Sequence, residues 1–139
     1  MRIPSLDIRT GVVPISAPGG VLTPPSDPAL VGWWRDGVRP GEDQGRALLT
    51  GHAVHGGGGV FDTLNQLSGG DVVVVRTRQS VLRYRVTTQG IYTKAQLAER
   101  AQELFDQTGS PRLVLVSCLE WDGDEYLKNV VVVARPSNV

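Results

Sequence analysis

Three hydrophobic patterns run along this chain. In "DVVVVRTRQSVLRYRVTTQGIY", residues 71–92, Leu82, Tyr84 and Val86 alternate with Arg83, Arg85 and Thr87. A period of two belongs to a strand with one wet face, and the segment reads as two long strands that turn near Gln79 and Ser80. "RLVLVSC" and "NVVVVAR" are apolar on both faces and predict central strands. In "TKAQLAERAQELFDQTG", residues 93–109, Leu97, Ala98, Ala101, Leu104 and Phe105 form one apolar stripe, with Lys94, Glu99, Arg100 and Glu103 facing water. Thr93 and Gln96 make a capping box and Gly109 is a natural stop, so this segment is the clearest helix.

The remaining pieces are short. Over the first forty residues Ile3, Leu6, Ile8, Val12, Val13 and Ile15 are broken by Pro4, Pro14, Pro18, Pro24, Pro25 and Pro28, which suits brief strands and wrapping loops. "GRALLTGHAV", 45–54, reads as a strand ending near His52, and "VFDTLNQL", 60–67, as about two turns of helix after the loose "GGGG". Many strands with one helix and short helical turns give a mainly β fold. A closed barrel is the first expectation, because closure removes sheet edges.

Composition narrows the function classes. The 139 residues fit one domain, 1–139, with 40% hydrophobic and 20% charged residues, an ordinary globular balance. Fourteen basic and fourteen acidic residues leave no net field to attract nucleic acid or an anionic membrane surface. A lone cysteine makes no internal disulfide and leaves the redox compartment open. No apolar run reaches the roughly 18 residues of a spanning helix. "MRIPSLDI" has no signal-peptide pattern, so the chain is either cytosolic or a domain separated from its targeting region.

That cysteine, Cys118, closes the apolar run "LVLVSC" and is either core filling or a nucleophile. A thiolate near neutral pH usually needs an imidazole beside it. The two histidines, His52 and His55, both follow the "GRALLT" strand, so a Cys and a His at two strand ends could meet at one barrel mouth. A metal is not expected: "HAVHGGGG" will not hold a helix, and a third ligand is missing. The glycine run lacks the Gly-Lys-Ser/Thr of a phosphate loop. Glu120, Asp122, Asp124 and Glu125 have the wrong order for an EF-hand and read as a solvated loop. Arg76, Arg78, Arg83 and Arg85 read as the polar face of a sheet, and Trp33 and Trp34 as core and rim.

The order of segments resembles the sortases, and within them the actinobacterial class F type. "RIPSLDIRTGVVPI" is similar to the family's opening strands, and "VGWWRDGVRPGEDQGRALLTGHAVHGGGGVFDTL" to its Gly-Trp, Pro-Gly-Glu and Gly-His pattern followed by a short Phe-containing helix. "GGDVVVV", "LVLVSC" and "YLKNVVVVARP" resemble the strands before, through and after the nucleophile. The resemblance implies an eight-stranded β-barrel and a cysteine transpeptidase that needs no cofactor. Cys118 would be the nucleophile and His52 its acid/base partner; His55 matches no role. An LPXTG-type sorting-signal peptide would be cleaved between Thr and Gly through a thioacyl enzyme, then joined to a cell-wall amine such as a lipid-linked precursor.

The chain departs from the family twice. Ser117 replaces the usual Thr before the cysteine and keeps the hydroxyl. The family's arginine on or before the closing strand is missing: Leu127, Lys128 and Asn129 stand there, and Arg135 lies about 20 Å further along a strand. Asn129 or Lys128 is therefore expected to position the oxyanion or the substrate. Two other functions stay open, a hydrolytic cysteine peptidase built on Cys118, His52 and Asn129, and a weakly active barrel that only binds peptide. The resemblance also implies a monomer on the extracytoplasmic face of the membrane, anchored by an N-terminal segment outside these residues.

Overall fold

The computed structural model describes residues 1–18, 22–121, 123–124 and 126–137, with the backbone alone for 119–121. The strands are β1 (Arg2–Ile3), β2 (Ile8–Arg9), β3 (Val12–Ile15), β4 (Val31–Trp34), β5 (Arg46–Gly51), β6 (Val72–Arg76), β7 (Val81–Thr93), β8 (Arg112–Trp121) and β9 (Tyr126–Pro136). Helix α1 spans Lys94–Leu104, between β7 and β8. The strands form one sheet in the order β2-β1-β6-β7-β9-β8-β5-β4-β3, with the two apolar runs at its centre as expected.

The expected closed eight-stranded barrel is instead a curled nine-stranded sheet among the described residues. Its two edge strands, β2 and β3, are joined by Thr10 and Gly11 alone, so the sheet must bend until its ends meet. No ladder seals the seam, because the linker already serves its own neighbours. The Thr10 N–H donates to the Met1 carbonyl at 3.0 Å, and the Gly11 carbonyl accepts from the Val31 N–H at 3.1 Å. The peptide chain closes the ring where hydrogen bonds were expected to.

Strand alternation divides β5, β8 and β9 between two apolar layers. Leu49, Leu113, Leu115, Val130, Val132 and Ala134 face the inner core with Phe61, Leu64 and Leu67. Leu48, Val114, Val116, Val131 and Val133 face the outer layer, which α1 covers through Leu104 and Leu97. In β7 the register slips between Val86 and Thr88. This bulge adds one residue and reverses the alternation. Tyr84 and Val86 thus lie in the inner core, while Tyr92, also an even position, joins the outer layer.

The segment 60–67 does not make the expected two helical turns: turn residues lead into a three-residue 3-10 helix, Leu64–Gln66. The N–H groups of Leu64, Gln66 and Leu67 donate to the carbonyls of Phe61, Thr63 and Leu64, each three residues back. Phe61, Leu64 and Leu67 are all buried, and a spacing of three matches the three residues per turn of a 3-10 helix. Helix α1 begins at the expected capping box but ends at Leu104, well before Gly109. Residues 105–109 leave the helix to bind the start of β5. The Arg46 N–H donates to the Asp106 carbonyl at 2.8 Å, and the Gly45 N–H to the Gly109 carbonyl at 2.6 Å. Gly45 permits this approach: its φ is +84°, and a Cβ there would strike the Gln107 carbonyl.

Candidate active site

The sheet register sets the expected histidine and cysteine side by side. Strands β5 and β8 run parallel, pairing Arg46 with Arg112 and, at the far end, Thr50 with Val116. Two residues beyond Thr50, just past the end of β5, comes His52, and two beyond Val116, within β8, comes Cys118; paired strands lie about 4.8 Å apart. On the other side of β8, Cys118 pairs with Asn129 of β9, which in turn pairs with Tyr92 of β7. His52 just past the end of β5, Cys118 of β8 and Asn129 of β9 therefore form a row that lines one groove.

This placement corrects the barrel-mouth expectation. Cys118 does not end its strand, since β8 continues to Trp121. It belongs to the outer alternation of Val114 and Val116, so its thiol opens onto the convex side of the sheet. There it lines a groove of about 690 Å³ together with His52 and Asn129. The floor is Leu48, Thr50 and Val116, one wall is Leu97, Ala98 and Ala101 of α1 with Phe105 just after it, and Leu22, Pro24 and Trp34 complete the enclosure. The apolar stripe of α1 thus serves a cavity more than the core: only Leu104 in the helix is buried. Trp34, read as core or rim, lines the groove, while Trp33 packs on the inner core and donates its indole N–H to the Val38 carbonyl at 3.1 Å.

Several contacts hold His52. Its Nε2 lies 2.8 Å from the Pro25 carbonyl oxygen. A carbonyl only accepts, so the proton of this bond sits on Nε2. The Phe61 N–H donates to the His52 carbonyl at 3.0 Å. The Asp62 carboxylate closes the loop beyond, accepting from the Val54 N–H at 2.7 Å and the Gly59 N–H at 3.1 Å. Gly51 explains the "TGH" sequence, because a Cβ there would lie 2.6 Å from Val60 Cγ1 and 2.9 Å from the Phe61 ring.

Burial pushes the Cys118 thiol above its ordinary pKa, and the nearby Lys94 charge partly opposes that rise. The resting sulfur is therefore a thiol at neutral pH. Among the described residues no hydrogen bond joins it to His52. The Asn129 amide Nδ2 donates to the Ser117 carbonyl at 3.3 Å and lies 4.0 Å from Sγ. Ser117 turns inward, buried, with its hydroxyl 3.5 Å from the Phe61 carbonyl. Alternation turns Lys128 to the face opposite Asn129, and Lys128 does not line the groove.

The other candidates lie elsewhere. None of Arg76, Arg78, Arg83 and Arg85 lines the groove; Arg83 borders a separate pocket of about 350 Å³, and Arg85 donates to the Gly70 carbonyl at 2.9 Å. His55 is exposed in the loop after β5, where its backbone bonds the Tyr126 hydroxyl. Asp122 and Glu125 of the acidic cluster lie outside the described residues, as does the side chain of Glu120. Among the described residues no three His, Cys, Asp or Glu side chains converge to hold a metal ion. Among the described residues no helix is long and apolar enough to cross a membrane. Sequence reasoning missed Lys94, Trp34 and the Pro25 carbonyl as parts of the site.

Known structures share this architecture. Sortase E1 from Streptomyces coelicolor, solved with a tripeptide in its active site, superposes with a TM-score of 0.75 at 21% identity, covering 99% of this chain and 85% of that one. For sortase A from Corynebacterium diphtheriae, a lid mutant, the TM-score is 0.75 at 16% identity, with 99% and 68% covered. Sortase A from Listeria monocytogenes gives 0.73 at 19%, with 98% and 83% covered. No curated protein matches the sequence. The model of the sortase domain matches residues 1–137, nearly the whole chain with the row of His52, Cys118 and Asn129 inside it, and the chain therefore belongs to the sortase family of cysteine transpeptidases.

Proposed function

We propose that this protein is a cysteine transpeptidase of the class F type, cleaving an LPXTG-like sorting signal between Thr and Gly and joining the acyl part to a cell-wall amine. The observation that carries this reading is the His52–Cys118–Asn129 row beneath an apolar groove. The thiol proton passes to His52, and the thiolate of Cys118 attacks the Thr carbonyl. The Asn129 amide donates to the oxyanion that forms. The Thr–Gly bond breaks as the imidazolium of His52 protonates the leaving amine, leaving a thioester. An incoming amine gives its proton to neutral His52, attacks the thioester and releases the thiol. On this reading the substrates lie outside the cytoplasmic membrane, and the protein works there as a monomer.

The test is intact-protein mass spectrometry with an LPXTG peptide, with and without triglycine. The expected result is an acyl adduct on the protein and, with triglycine, a ligated peptide. Adduct resolved only by water would make the protein a hydrolase. No adduct, with the peptide still bound, would make it a binder.

Asn129 and Lys128 were both candidates for the missing arginine's place, and the groove favours Asn129. Asn129→Ala is expected to lower turnover about 10²-fold, the cost of one lost oxyanion donor, while Lys128→Ala changes it less than about threefold. Steady-state ligation rates check both. A loss below threefold in Asn129→Ala would remove that residue from the oxyanion role.

A further inference from the structure

The groove has an unusual charge inventory. Its lining includes no Asp or Glu among the described residues, and its ionisable groups are His52, Cys118 and a single lysine, Lys94. The reaction proposed above creates negative charge in this space twice, first on sulfur and then on the carbonyl oxygen. Asn129 can donate a hydrogen bond to that charge but carries none of its own.

Lys94 reaches the site through the same row of strands. Tyr92 pairs with Asn129, and Thr93 pairs with Lys128 where β7 ends. Lys94 then opens α1, at the point where the chain turns over the outer face. Helix stability does not account for a lysine here. The positive end of the helix dipole disfavours a cation in the first turn, and the capping box is complete with Thr93 and Gln96 alone. The side chain is exposed and lines the groove. In an apolar groove a nearby positive charge is felt more strongly than in bulk water.

We propose that Lys94 supplies the positive charge that β9 does not bring to the groove, stabilising the Cys118 thiolate and the oxyanion that follows it. The role rests on the transpeptidase reading for the oxyanion, but its thiolate half stands independently. Of the titratable groups around Cys118, Lys94 from α1 and His52 after β5 line the groove with it, and the Tyr126 hydroxyl of β9 interacts with it electrostatically. Tyr126 is held neutral to high pH, since burial raises its pKa and the Asp62 charge adds to the rise. Lys94 is thus the one lysine or arginine that lines the groove among the described residues. Its charge lowers the thiol pKa against the larger effect of burial.

The test measures alkylation of Cys118 by neutral iodoacetamide and anionic iodoacetate across pH, in the native protein, Lys94→Gln, Lys94→Arg and Arg100→Gln. Arg100 lies on the same helix outside the groove, paired with Glu103 at 3.0 Å, and serves as the control cation. In Lys94→Gln the rise of rate with pH is expected to move upward, lowering the rate at neutral pH about three- to tenfold. The preference for iodoacetate over iodoacetamide falls with it. Lys94→Arg restores both readouts, and Arg100→Gln leaves both unchanged. A native pH profile and native reagent preference in Lys94→Gln would overturn the proposal. No sorting peptide enters this assay, so its outcome is separate from that of the ligation test. Circular dichroism of Lys94→Gln at native helix content ties any change to charge.

Discussion

Cys118→Ala is expected to yield a folded protein that forms no acyl adduct with a sorting peptide and joins none to triglycine. The substitution keeps the Cβ, and the side chain is only partly buried, so its cost to folding is small. The chemistry has no second route, because Cys118 is the sole cysteine of the chain. His52→Ala is expected to retain an alkylatable thiol yet lose about 10²–10⁴ in ligation rate, the range for a lost general acid–base group. The native protein adds a pH signature. Burial holds the thiol above its ordinary pKa of 9.0, so the alkylation rate should still be rising at that pH. Intact mass and stopped-time alkylation measure these outcomes. An adduct surviving in Cys118→Ala would place the nucleophile elsewhere.

Phe61→Ala is expected to cost about 3–5 kcal/mol of stability and, in the protein that remains folded, about tenfold or more in turnover. Its ring is 1% exposed, among the largest of the fully buried side chains. It packs beside Gly51, the residue before His52. Its backbone also joins both halves of the site, donating to the His52 carbonyl and facing the Ser117 hydroxyl. Removing the ring leaves those backbone groups but frees the segment that fixes them. Phe61→Leu should restore most of both losses. Denaturant unfolding with an unchanged slope gives the first number, and ligation kinetics the second. A cost under about 1 kcal/mol would mean that the core closes over the gap.

Much of this was legible in the chain. The alternation around Tyr84, the apolar runs in β8 and β9 and the capping box at Thr93 each placed an element, because each is a local pattern with a distinct period. The Gly-His and Val-Ser-Cys segments singled out His52 and Cys118 through their order along the chain, and the two line one groove. Four features were not legible. The seam at Thr10 and Gly11 depends on which partners those residues bond, and no local pattern encodes that. The bulge at Thr87 reverses an alternation that looks unbroken in sequence. The early end of α1 depends on Asp106, Gln107 and Gly109 meeting β5, which lies some sixty residues away. Lys94 looked like a solvated helix residue, because an amphipathic stripe does not reveal whether it faces a core or a cavity.

Even positions of β5 and β8 (Leu48, Thr50, Val116) and the inner surface of α1 shape the groove, while odd positions (Ala47, Leu49, Leu113, Leu115) fill the inner core of the curled sheet. On the proposed function, a sheet one residue thick separates the face that would meet a substrate from the inner core. Single changes on the groove side would then reshape what the site accepts while leaving the inner core's packing in place.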